Sequence, residues 1–177
     1  SEDTLVKAAS EISKAHPVRV EIYPGNLERP ETVDGLVQET ISRFKSIDIL
    51  VSNIGGPPTG SALGLSESDW DIAIQRTFLF FSRMSMAVIP HMEKQRWGRV
   101  ISILSSSIKN PIPNLVLSTS ARLGAVGYLK ALSFEVAESN ITVNNILPSD
   151  ILTERQYELA AAQLTRLGEN ETIEDLI

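Results

Sequence analysis

Three short apolar runs, DILVS (48–52), GRVISIL (98–104) and ITVNNIL (141–147), limit what this 177-residue chain can fold into more than any other feature. Each is rich in β-branched residues, and each is separated from the next by a stretch long enough for a helix of several turns. Strands joined by helical crossovers lie parallel. A strand that is apolar nearly throughout, rather than at alternate positions, is one covered on both faces. The pattern therefore predicts an α/β fold, a three-layer doubly wound parallel sheet in one domain over residues 1–177.

The connecting segments support this reading. Leu5, Ala8, Ala9 and Ile12 share one face of a helix over 3–15, and VRVEIY (18–23) reads as a further strand. Pro30 suits the first turn of a helix over 30–45. Ser66 and Asp69 form a capping signature for a long helix reaching Pro90. The stretch LSTSARLGAVGYLKALSFEVA (117–137) is a second long helix, and a more polar one is expected near 154–167.

Several function classes find little support. The net charge of −6, with no Lys/Arg cluster, argues against nucleic-acid binding. Charges or prolines interrupt the apolar runs, so no transmembrane span is expected, and the first residues lack the apolar stretch of a signal peptide. The absence of cysteine fits a reducing compartment and a cytoplasmic location. GGPPTGSA (55–62) lacks the Lys-Ser/Thr of a phosphate loop, and its prolines remove backbone donors. His16 and His91 fall on different predicted helices, and with no cysteine they make a poor metal set. No G-x-S-x-G elbow is present. What remains is the row of loops at the carboxyl ends of the strands, where open parallel sheets bind ligands: 25–27, 53–60, 105–113 and 148–153. These are rich in Gly, Pro, Asn and Ser, which serve a ligand and an ordinary turn equally well.

Four segments, in order and at the right spacing, carry a resemblance. IDILVSNIGG (47–56) resembles D-x-L-V-N-N-A-G. The stretch 70–92, closing on P-x-M, resembles a long central helix. GRVISILSSS (98–107) matches a strand ending in a catalytic serine, and ITVNNILPSDILTER (141–155) matches V-N-x-x-x-P-G-x-x-x-T. The chain thus resembles the short-chain dehydrogenase/reductase family, in its 3-oxoacyl-acyl-carrier-protein reductase-like branch. The resemblance implies a Rossmann-type sheet, NAD or NADP as cofactor, and hydride transfer between nicotinamide and a small-molecule carbonyl or secondary alcohol. It places Asn53 and Gly55 along the adenosine side, Asn26 at the adenine, and Pro148 and Thr153 at the nicotinamide. Ser105 falls on the substrate-orienting serine. It further implies subunit pairing through helices 66–90 and 117–138, hence a homodimer or homotetramer. The apolar residues Leu79, Phe80, Phe81, Met84 and Met86 suit burial of the first helix on more than one side.

The departures are as informative. The family's Tyr-x-x-x-Lys lands on Ser118 and Arg122, a register that Gly127 supports; Thr77 stands at the helix-bending Asn, and Ser149 at the Gly after Pro148. A first strand with its T-G-x-x-x-G-x-G loop is expected before Ser1 and a last strand after Ile177. Neither is found, so the chain reads as a fragment or the ordered part of a longer protein. Bringing a phenol from pKa ~10 to ~7 takes roughly 4 kcal/mol, within reach of a neighbouring cation. A serine hydroxyl, comparable to water at ~15.7, needs on the order of 12 kcal/mol. Ser118 is therefore suited to orient a carbonyl and not to protonate it, while Arg122 keeps the charge and can grip ribose hydroxyls. Tyr128 and Lys130 point to different helix faces, and Tyr157 offers a phenol further along the chain. Two expectations follow: an oxidoreductase with an altered proton-transfer device, or a catalytically silent relative that binds dinucleotide or a partner.

Overall fold

Each of the three apolar runs forms a strand in the computed structural model, which describes residues 2–149 and residue 151. β1 (Ile49–Ser52), β2 (Gly98–Ile103) and β3 (Ile141–Ile146) lie parallel in the order β1-β2-β3. The register sets Leu50 opposite Val100 and Val100 opposite Val143. Because the strands are parallel, their carboxyl ends and following loops come to one edge of the molecule.

Helices α1 (Glu2–Ala15) and α2 (Pro30–Phe44) precede β1. Between β1 and β2 runs one helical rod: α3 (Glu67–Ala73), a π-helical turn (Ile74–Phe78) and α4 (Leu79–Gln95). α5 (Val116–Glu135) connects β2 to β3. Ser66 caps the rod as expected, accepting from the Asp69 N–H while the Asp69 carboxylate accepts from the Ser66 N–H at 2.9 Å. α4 packs on β1 and β2, α5 on β3, and α2 on α4. The core sits between these helices and the sheet face that carries Leu50, Val100 and Ile141, with Phe81, Met92 and Leu129 fully enclosed. Gly98 is required there, since a Cβ at that position would overlap the Met92 side chain.

Two expectations are corrected. Residues 18–23 form no strand among the described residues. A strand exists only through a neighbour's ladder, and this segment is instead held by side chains against α2. Arg19 donates to the Arg43 carbonyl at 3.1 Å and stacks 4.8 Å over Phe44, while Glu21 bridges Arg19 and Arg43. The rod does not stop at Pro90 but continues to Gln95. Proline removes one ladder bond, but the carbonyl it frees belongs to exposed Met86, where solvent can serve it. In the part of the fold that this chain spans, α1 buries none of its residues, and Ile49 and Val51, alternating with buried Leu50 and Ser52, are more than half exposed. Among the described residues, then, the packed helices cover one face of the sheet.

Candidate active site

The carboxyl ends of β2 and β3 are knitted together beyond the ladder. Leu104 N–H donates to the Ile146 carbonyl and Ser106 N–H to the Pro148 carbonyl, both at 2.8 Å. Ser105 stands at this junction in extended conformation, and its Oγ accepts the Ser107 N–H at 3.2 Å. That bond fixes the side chain while leaving its O–H free to donate outward.

α5 packs against both the turn that follows Ser105 (Ser106–Ile108) and the π-helical turn that carries Thr77. Gly124 faces the Phe78 ring at this second contact, where a Cβ would lie in ordinary van der Waals contact at 3.4 Å. Near the start of α5, Arg122 donates from Nη1 to Ser118 Oγ, and both side chains are buried, at 6% and 8% exposure. One turn of helix separates them, which is what brings two such side chains together. Burial lowers the Arg122 pKa from its usual value, yet a guanidinium starts so far above neutrality that it stays charged. Arg122 Nε, Thr77 Oγ1, Ser107 Oγ and Thr119 Oγ1 are buried with no hydrogen-bond partner among the described residues. Two of these atoms lie on α5 and two on turns that pack against it, which is unusual, since buried polar groups are nearly always satisfied.

Of the remaining predicted residues, Asn53, Gly55 and Pro148 stand on the loops that follow β1 and β3. Asn53 and Gly55 follow β1 and are exposed; a Cβ at Gly55 or Gly56 would meet nothing within 4 Å, so the loop leaves open space beside it. Asn26 is exposed, and its Oδ1 accepts the Glu28 N–H at 3.0 Å. Its loop is pinned to the rod by Arg83 Nη1 to the Glu28 carbonyl (2.8 Å) and by an Arg76–Glu28 ion pair (2.6 Å). Pro148 is half-buried beside Ser106. Thr153 and Tyr157 lie outside the described residues. Tyr128 is engaged elsewhere: its hydroxyl donates to the Ser82 carbonyl at 3.4 Å, and burial, aided by Glu135, raises its pKa. Sequence reasoning missed Ser107 and Thr119. In the run Ser105-Ser106-Ser107 nothing local tells which hydroxyl turns inward.

The donor set fits the ribose and nicotinamide of a dinucleotide, whose hydroxyl and amide groups would meet buried donors that lack partners. It does not fit the pyrophosphate. The loop Gly55-Gly56-Pro57-Pro58 carries two residues without an N–H, so it cannot supply the run of backbone donors that phosphates require.

Comparison with known proteins gives a consistent result. Residues 1–164 match the family model described as short chain dehydrogenase. The chain is 35% identical over 150 residues to a (2S)-[(R)-hydroxy(phenyl)methyl]succinyl-CoA dehydrogenase subunit of Thauera aromatica, covering 80% of this chain and 60% of that one. It is 28% identical over 142 residues to a 3-oxoacyl-[acyl-carrier-protein] reductase of Vibrio cholerae, covering 79% and 57%. The L-sorbose reductase of Gluconobacter frateurii, solved with NADPH and L-sorbose, superposes with a TM-score of 0.89 at 26% identity, over 95% of this chain and 64% of that one. In each case the chain spans less than two thirds of the relative's length. The parallel sheet described above is thus a Rossmann-type sheet.

Proposed function

Since this chain belongs to the short-chain dehydrogenase family, we propose that it is the central part of an NAD- or NADP-dependent oxidoreductase acting on a small-molecule carbonyl or secondary alcohol, with 3-oxoacyl thioesters as the leading substrate class. The observation that carries this reading is the convergence on α5. The elements bearing Ser105 and Thr77 both pack against the helix that bears Ser118 and Arg122, and the buried donors there lack partners.

The bound dinucleotide would supply the hydride. Ser105, with its Oγ fixed by the Ser107 N–H, donates to the substrate oxygen. Ser118 is a second hydroxyl able to hold that oxygen. Arg122 holds ribose hydroxyls through its unpartnered Nε and keeps positive charge beside the reacting oxygen, stabilising negative charge that develops there. Asn53, Gly55, Pro148 and Thr153 would line the cofactor, with Asn26 towards its adenine. The proton has no obvious donor: Ser118 is too weak an acid. That same observation favours a second reading, a silent relative that binds dinucleotide or a partner without turnover.

We further place the protein in the cytoplasm as one domain over 1–177, without nucleic-acid or membrane partners, and assembled as a homodimer or homotetramer through helices 66–90 and 117–138. Exposed Met86 and Phe134 and an apolar groove of about 300 Å³ between α4 and α5 support that assembly.

Oxidation of NADPH and NADH by the full-length protein with a panel of ketones and 3-oxoacyl thioesters tests the first reading. Turnover that falls on Ser105→Ala supports it. Dinucleotide binding without turnover, unchanged by Ser118→Ala, selects the silent reading. No thermal shift and no quenching of Trp70 or Trp97 fluorescence with any dinucleotide overturns both.

A further inference from the structure

The loops that follow β1 and β2 leave a cleft between them beside the start of α5. It measures about 610 Å³, within the range of small-molecule sites. The loop after β1 lends it Ala62, the loop after β2 Pro111, Ile112 and Pro113, and α5 Val116 and Thr119. The two loops are tied where they meet. Gly60 N–H donates to the Asn114 carbonyl at 2.9 Å, and Gly60 forms a parallel bridge with Leu115. Asn114 sits in the left-handed region, at φ 62°, which asparagine adopts more readily than most residues.

The lining is mostly carbon. Thr119 faces the cleft, yet its Oγ1 is enclosed, so its side chain has no hydrogen bond to offer there. Ser61 and Asn114 bring polar side chains, one from each loop. Ile112 is exposed in the cleft, and Leu63, next to Ala62, is fully exposed. Carbon surface left open to water in a bounded cleft favours a ligand that covers it with carbon. A hydroxyl pressed against the same walls gives up water without a partner in return. Val116 and Thr119 stand one turn apart, on either side of Leu117 and Ser118. Consecutive Cα atoms are ~3.8 Å apart, so the cleft begins one residue from the hydroxyl proposed to hold the substrate oxygen.

We infer that this cleft takes the non-reacting side of the carbonyl substrate and selects an apolar chain over a polyhydroxy one. The inference deepens the function proposed above and rests on it for the carbonyl's place at Ser118.

Equilibrium titration of the full-length protein with 2-butanone, 2-hexanone and 2-octanone, alone and with saturating NADH or NADPH, gives the test. Affinity is expected to rise on the order of fourfold for each methylene that enters the cleft, in either condition. A ketohexose should bind more weakly than 2-octanone by on the order of tenfold or more. Ala62 and Ile112 are exposed, so replacing them should leave the fold intact. Ile112→Asp puts a charge on the wall and should flatten the series. Ala62→Phe fills the cleft and should weaken 2-octanone while sparing 2-butanone. Equal affinities along the series, or a rise that both variants leave unchanged, would overturn the inference. So would a ketohexose bound as tightly as 2-octanone. A changed oligomeric state in Ile112→Asp, with no chain-length dependence in the parent, would mean that a second copy covers the cleft, and it too would overturn the inference. Failure of both dinucleotides to bind would refute the proposed function, while the ketone series without dinucleotide still decides this inference.

Discussion

At the residue scale the proposed chemistry is limited by what Ser118 and Arg122 cannot do. A serine hydroxyl needs on the order of 12 kcal/mol to ionise near neutrality, and a guanidinium does not deprotonate in a protein. Neither changes charge between about pH 6 and pH 9. Carbonyl reduction by the full-length protein is therefore expected to give a kcat/KM flat over that range, read from a pH–rate profile. Ser118→Tyr combined with Arg122→Lys installs a phenol beside an ammonium group. A phenol must be protonated to donate in the reducing direction, so the double variant should reduce faster at low pH and lose the gain as pH rises through the phenol's lowered pKa. A limb in the unaltered protein, or none in the variant, would count against these roles. Thr77 makes a separate point. Its hydroxyl is buried without a partner, so the isosteric Thr77→Val should be neutral or stabilising by about 1 kcal/mol in urea denaturation. A loss of stability would show that the hydroxyl is satisfied inside the protein.

At the scale of elements, the strength of local signals decided which features could be read. Ser66 and Asp69 stand three apart before an apolar run, and the structure forms both bonds of the capping box. Ser66→Ala should destabilise by about 1 kcal/mol, measured by thermal or chemical denaturation. The Ser66 hydrogen bonds hold the Asp69 carboxyl below its ordinary 3.8. A folded-state pKa below the unfolded one contributes stability above the unfolded value, so this contribution is present at neutral pH and fades as the medium is acidified through that range. The three sheet strands and α2 were equally legible, because β-branched runs and an N-terminal proline act locally. Residues 18–23 carry the same β-branched signal yet make no ladder, because pairing depends on a neighbour that local pattern cannot see. The π-helical turn at Ile74–Phe78 was invisible for a similar reason: its extra residue is accommodated through packing against α5, not through a residue type. Ser105, Ser118 and Arg122 were singled out by the family resemblance alone, and the structure brings Ser118 and Arg122 into contact. The orphaned hydroxyls of Ser107 and Thr119 were not, since which serine or threonine turns inward is a tertiary outcome.

At the scale of the whole molecule, the proposed assembly has two exposed apolar surfaces to choose between among the described residues. One is the groove between α4 and α5, lined in part by Met86, which is 59% exposed. The other is the sheet face that the packed helices leave open, where Ile49, Val51 and Ile146 are 56%, 58% and 49% exposed. The two would behave differently. A groove between helices is a bounded, self-complementary patch, and a twofold contact through it closes at a dimer. Among the described residues that face continues to an edge of β1 that makes no ladder, and a face of this kind has no such closure and invites open-ended association. Light scattering across a concentration series of the 177-residue chain separates them. Met86→Lys is expected to abolish a saturating dimer step, and Val51→Lys to suppress growth beyond it. Both side chains are exposed, so each variant should stay within about 0.5 kcal/mol of the parent's stability. Phe81→Ala, inside the same core and fully buried, should cost about 3–5 kcal/mol and provides the contrast. If Val51→Lys removed the dimer step and Met86→Lys left it intact, the sheet face would be the closed interface, and the assignment of subunit pairing to the helices 66–90 and 117–138 would fall.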